Sequence, residues 1–66
     1  MLEIDHHAQT PLVAQIIRQV SALVQNGDWI PGTRLPSIRR LAAQCKVSPL
    51  TVSNAYNRLV ADGVLE

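Results

Sequence analysis

Along this chain, stretches in which apolar residues recur every three or four positions alternate with short stretches of Pro, Gly, Ser and Thr. The first periodic stretch holds Leu12, Val13, Ile16, Ile17, Val20, Leu23 and Val24. That is the i, i+4, i+8 pattern of a helix with a wide buried stripe. Thr10-Pro11 supplies its start, because a Thr hydroxyl caps free amides and Pro in the first helical position forfeits no hydrogen bond. Asn26-Gly27 supplies its stop, with Gly27 suited to a left-handed cap. Seven large apolar residues on one helix exceed what so small a core needs, so part of the stripe is expected to serve as dimer surface.

Two shorter periods follow. Ser37, just after Pro36, caps a second helix whose inner face is Ile38, Leu41, Ala42 and Cys45. Arg39, Arg40, Ala43 and Gln44 fall outside or at its flanks. A tight turn at Lys46-Val47, with Val47 buried, leads to Ser48, the cap of a third helix that has Pro49 at its first position. That helix carries a spine of Val52, Ala55 or Tyr56, and Leu59, runs to Asp62, and ends at Gly63. Tyr56 is expected to pack its ring and wet its hydroxyl.

The remaining stretches are connectors. "DWIPGTRLP" has Trp29 and Ile30 as apolar anchors, and Pro31-Gly32 fits a type II turn whose second central residue needs a positive φ. Arg34-Leu35 is at most a short edge strand. Residues 1–9 have no clear period; Leu2 and Ile4 are able to pack, and the rest reads as an arm. Val64-Leu65 starts an extended segment. The expected organisation is an N-terminal arm, 1–9, and one domain, 10–66.

Length limits the energetics. A domain of 66 residues buries only about 60% of the surface its unfolded chain exposes, so stability is marginal. Cys45 is the only cysteine, which excludes an internal disulfide framework and fits a small buried hydrophobe in a reducing cytosol. With 47% hydrophobic and 17% charged residues the chain is globular. It has no apolar run of about 18 residues and no signal-peptide pattern, so no membrane span is expected.

Catalytic and metal chemistry find little support. Ser37, Ser48 and Ser53 have no His or acid at a credible triad spacing. His6 and His7 have only Asp5 near them, whereas a metal site needs three or four convergent ligands. They read as a solvated turn. Neither an enzyme, nor a cofactor, nor a metal is expected.

Charge changes the picture through its distribution. The net charge is only +1, yet no Asp or Glu lies between Trp29 and Ala61, where Arg34, Arg39, Arg40, Lys46 and Arg58 all fall. That is the footprint of a phosphate-binding surface; the plainer alternative is a solvated face that lacks acids. Arg40 stands at the third position of its helix, where Glu would complement the dipole. Two Arg residues in a first turn disfavour the fold and make sense beside a phosphate, which the helix N-terminus also attracts.

Two short helices joined by a tight turn, after a longer helix, form a helix-turn-helix. In that motif the N-terminal residues of the second helix of the pair meet base edges in the major groove. They are Pro49, Leu50, Thr51, Ser53 and Asn54. Thr and Asn carry hydrogen-bonding groups and stay slim, and Leu50 suits a thymine methyl. Asn57 and Arg58, one turn on, suit the phosphate backbone. A rival reading is a module for protein contacts, favoured only by the apolar excess of the first helix. It leaves Arg39 and Arg40 unexplained.

The strings "P-G-T-R-L-P-S-I-R-R-L-A", "V-S-P-L-T-V-S-N-A-Y-N-R-L" and "D-G-V-L-E", in that order, resemble the N-terminal DNA-binding domain of the GntR family of bacterial transcription regulators. The resemblance runs from Pro11 to Glu66. It implies a mainly α, three-helix winged helix-turn-helix in a cytoplasmic homodimeric regulator. The implied partner is a double-stranded DNA operator of two inverted half-sites, and the implied activity is that of a ligand-responsive repressor. Carried over by position, the family's contacts fall on Arg34 and Arg39, then on Ser48, Pro49, Leu50 and Thr51, with Ser53 and Asn54 beside them. Ser37, Arg40, Asn57 and Arg58 complete the expected DNA-binding set.

Departures from the family pattern refine the expectation. Pro49 stands where many members have Arg, as in the YtrA-like subgroup. Lys46 stands where Gly is common, so a left-handed residue carries a side chain at a cost of ~1 kcal/mol. Arg40 often appears as Glu. The Gly-x-Gly wing hairpin expected after "GVLE" is absent. The resemblance therefore implies a domain with a truncated wing, taken from a longer regulator. The rest would hold the wing and an effector-binding, dimerising domain, short as in the YtrA-like group or aminotransferase-like as in the MocR-like group.

Overall fold

The computed structural model describes residues 2–30 and 35–65. The Pro31-Gly32 turn and Arg34 lie outside the described residues. The elements are α1 (Leu12–Gln25), α2 (Ile38–Cys45) and α3 (Pro49–Ala61), and no strand occurs among the described residues. Leu35 therefore belongs to no described strand; it is half-buried against the core.

All three helices end the same way. At α1 the Gly27 N–H reaches the Val24 carbonyl and the Asp28 N–H reaches Leu23; at α3 Gly63 reaches Val60 and Val64 reaches Leu59. These crossed pairs are Schellman caps, which need one left-handed residue each. Gly27 (φ 80°) and Gly63 (φ 78°) supply it without steric cost. At α2 the same pairs join Lys46 to Ala43 and Val47 to Ala42, and the left-handed residue is Lys46 (φ 57°, ψ 45°).

Two helix starts match the sequence pattern and one does not. Ser37 Oγ accepts from the Arg40 N–H and Ser48 Oγ from the Thr51 N–H, both at 3.2 Å. At α1, however, Pro11 itself is the cap residue, with extended backbone and no side-chain hydrogen bond. Thr10 contributes its carbonyl rather than its hydroxyl, accepting from Gln15 Nε2 at 2.9 Å. No side chain caps the first amides of α1.

The helix α3 packs directly against both α1 and α2. Ile16 and Val20 of α1, Leu41 of α2, and Val52, Ala55 and Leu59 of α3 have no exposed surface. Leu2 and Leu65 close the core from the two ends of the chain, with Trp29 and Val47 packed at its edge. Two expected core residues lie outside it. Ile38 is 37% exposed, because a side chain at the first helical position leans back past the helix end, where no further turn covers it. Ile30 is 59% exposed: Trp29 occupies the anchoring position, and its neighbour in a non-helical segment faces the other way.

Residues 2–9 are fastened rather than loose. The arm runs along α1, where Gln19 pairs with the main chain of Glu3 and Gln15 with that of Asp5. Beyond them, His6 Nε2 shares a 3.0 Å hydrogen bond with the Cys45 carbonyl at the end of α2. The arm thus ties α1 to the turn between α2 and α3.

Candidate nucleic-acid interface

A helix with Val52, Ala55 and Leu59 turned inward must present the opposite positions to solvent. At 100° per residue those are Leu50, Asn54, Asn57 and, at the last turn, Ala61, and all four are exposed, Leu50 by 68%. This outermost stripe is polar apart from Leu50 and Ala61 and carries no charge. Ser48 and Pro49, also exposed, form its N-terminal edge.

Thr51 and Ser53 occupy the two flanks of α3 and are half-buried. Thr51 is not opposite the apolar spine. Its hydroxyl lies 2.9 Å from Ser48 Oγ, the oxygen that caps the Thr51 N–H. One hydroxyl of that pair donates to the other, so only part of the Thr51 hydrogen-bonding capacity remains for an outside partner. Arg58 is exposed and pairs with Asp62 one turn later at 3.4 Å, a surface contact worth little.

The start of α2 approaches α3 through Pro36, whose carbonyl meets Tyr56 on a flank of α3. Ser37, Ile38, Arg39 and Arg40 are all exposed, and no acid lies in the first turn. Among the described residues the only ion pair is the one between Arg58 and Asp62, so both guanidinium groups of α2 face solvent uncompensated. Arg34, the remaining expected contact, lies outside the described residues.

Sequence reasoning missed how the two parts are joined. The Tyr56 hydroxyl donates to the Pro36 carbonyl at 3.0 Å, linking the middle of α3 to the residue before the Ser37 cap. Burial pushes the Tyr56 phenol above its ordinary pKa, with the nearby Cys45 adding to the rise, so the group remains a donor at neutral pH. Burial also pushes the Cys45 thiol up. Gln15 and His6 were missed as well; nothing in periodicity marks a polar side chain as a clamp. Among the described residues no buried side-chain polar atom lacks a partner, and no helix is long and apolar enough to cross a membrane.

Comparison with known proteins shows the family. The family model described as "Bacterial regulatory proteins, gntR family" matches residues 12–66. The HTH-type transcriptional repressor YtrA of Bacillus subtilis is 42% identical over 66 residues, which is 100% of this chain and 51% of that protein. The HTH-type transcriptional regulator Rv1152 of Mycobacterium tuberculosis is 42% identical over 98% of this chain and 54% of its own length. In structure, the chain is similar to YtrA from Sulfolobus acidocaldarius, a GntR-family transcription factor. The TM-score is 0.85 at 46% identity, covering 92% of this chain and 53% of that one. The chain therefore spans about half the length of these relatives, whose names are those of transcription regulators and not of enzymes. With the family model matched over residues 12–66 and relatives aligned along nearly its whole length, this chain belongs to the gntR family of bacterial regulatory proteins.

Proposed function

We propose that this chain is the DNA-binding domain of a ligand-responsive transcriptional repressor and seats α3 in the major groove. The observation that carries the reading is the exposed, uncharged stripe of Leu50, Asn54 and Asn57, in a fold that also exposes Arg39 and Arg40 at a helix start without an acid in the first turn. Charged side chains all along α3 would grip phosphates without regard to sequence, whereas slim amides and an aliphatic tip suit base edges. Asn54 and Leu50 read bases, with Pro49, Thr51 and Ser53 bordering them. Ser37, Arg39, Arg40, Ser48, Asn57 and Arg58 hold the sugar-phosphate backbone, joined by Arg34.

Two copies bind an operator of inverted half-sites, as the helix-turn-helix geometry favours. Repression is the activity named for YtrA of Bacillus subtilis. In this reading the protein works in the cytoplasm, and the effector and the main dimer contacts belong to parts of the natural protein outside these residues.

The test is selection of duplexes from a random pool by the natural protein, followed by titration at several salt concentrations. The expected result is an enriched inverted repeat whose affinity falls steeply with salt. No enriched sequence, together with salt-insensitive binding, overturns the proposal.

A further inference from the structure

We infer that Tyr56 is a positioning residue, a latch that holds the first turn of α2, and with it Arg39 and Arg40, in register with the reading face of α3. This rests on the DNA-binding function proposed above. The helix α2 has only 8 residues, and its buried contacts, Leu41, Ala42 and Cys45, all lie beyond its first turn. The first turn itself is exposed from Ser37 to Arg40. Packing therefore secures the far end of α2, while on the arginine side the nearest packed side chain is Leu35, two residues before the cap.

The bond from the Tyr56 hydroxyl to the Pro36 carbonyl adds a hold next to the cap. Pro36 precedes the cap, so its carbonyl has no place in the helical ladder, and no other donor among the described residues reaches it. The next residue is Ser37, whose Oγ caps the Arg40 N–H. A two-step chain thus runs from the middle of α3 through Pro36 and Ser37 to the arginine turn. A charged group held for a phosphate loses its hydrogen bonds when displaced by about 1 Å, so a latch at this point acts on affinity.

Tyr56→Phe keeps the ring and removes only the hydroxyl. Two measurements on the natural protein test the latch, both well below the melting temperature, where variant and native protein are fully folded. The first is operator affinity. Tyr56→Phe is expected to weaken binding about threefold to tenfold, evenly across operator variants, since one hydrogen bond is lost and the reading face is untouched. In a background already carrying Arg39→Ala and Arg40→Ala the same change should cost clearly less, since only the Ser37 contact of that turn remains to be displaced. Native affinity, or an equal loss without the arginines, overturns the inference.

The second is amide hydrogen exchange in the free protein. Tyr56→Phe should speed exchange at Arg40 and Leu41, whose N–H groups bond Ser37, and leave α1 unchanged. Unchanged exchange at those amides also overturns the latch. A native protein that selects no operator sinks the DNA reading instead, and the exchange measurement then decides the latch by itself.

Discussion

Gln15 and Asp5 hold each other in both directions: the Asp5 N–H donates to Gln15 Oε1 at 2.8 Å, and Gln15 Nε2 donates to the Asp5 carbonyl at 2.9 Å. One turn along α1, Gln19 repeats the pairing with Glu3. A side-chain amide offers a donor and an acceptor side by side, as a peptide group does. Two of them at i and i+4 therefore act on an extended arm much as a neighbouring strand would. The alternate residues, Leu2 and Ile4, then pack against the core.

Gln15 is itself buried, so removing it leaves main-chain groups of Asp5 and Thr10 without their partner. Gln15→Ala is expected to destabilise the domain by about 2 kcal/mol, combining lost hydrogen bonds with a small cavity. Urea unfolding monitored by Trp29 fluorescence measures it. A loss below about 0.5 kcal/mol would mean that the arm holds without the clamp.

Lys46→Gly should stabilise the fold by about 1 kcal/mol, because Lys46 fills the left-handed position that Gly27 and Gly63 fill in the other two caps. The entropy that Gly adds to the unfolded chain subtracts from the gain. Thermal melts give the sign. A lowered midpoint would show that the Lys side chain contributes more than its backbone strain costs.

Arg39→Ala should weaken binding to all DNA sequences and reduce the salt slope by about 1, the signature of one lost phosphate contact. It should hardly affect stability, since the residue is exposed and has no acidic partner among the described residues. Affinity titrations at low and high salt provide the check, and a slope equal to the native one removes Arg39 from the phosphate contacts.

Asn54 and Thr51 should behave differently from each other. Asn54 lies on the outermost stripe and its side chain has no hydrogen bond among the described residues, so Asn54→Ala is expected to cost ~1–3 kcal/mol of discrimination at one base pair per half-site. Helix stability should hold or rise, Ala being the better helix former. Thr51 shares its hydroxyl with the Ser48 cap, so Thr51→Ala should lower the melting temperature as well as alter the base profile. Operator selection with each variant separates the two. A profile unchanged in Asn54→Ala would move base reading elsewhere on α3.

Much of the fold was legible along the chain because the physics that sets it is local. Ser37 and Ser48 cap amides three residues away, Gly27 and Gly63 relieve strain at single backbone positions, and the apolar period selects Ile16, Val20, Leu41, Val52 and Leu59 for burial. The same local rules placed Arg39 and Arg40 at an exposed helix start and Asn54 on an outward face. What escaped them joins residues far apart in sequence: Gln15 to Asp5, His6 to Cys45, Tyr56 to Pro36. A side-chain hydrogen bond over such distances forms only where packing brings the partners within about 3 Å, and periodicity carries no information about that meeting. Exposure at element ends escaped for a related reason. Ile38 fits the buried face of α2 by its spacing, but whether a neighbouring element covers a helix terminus depends on how far that element extends. The helices and their inner faces follow from neighbours in the chain; the clamp on the arm and the hold on the arginine turn exist only once the three helices have packed.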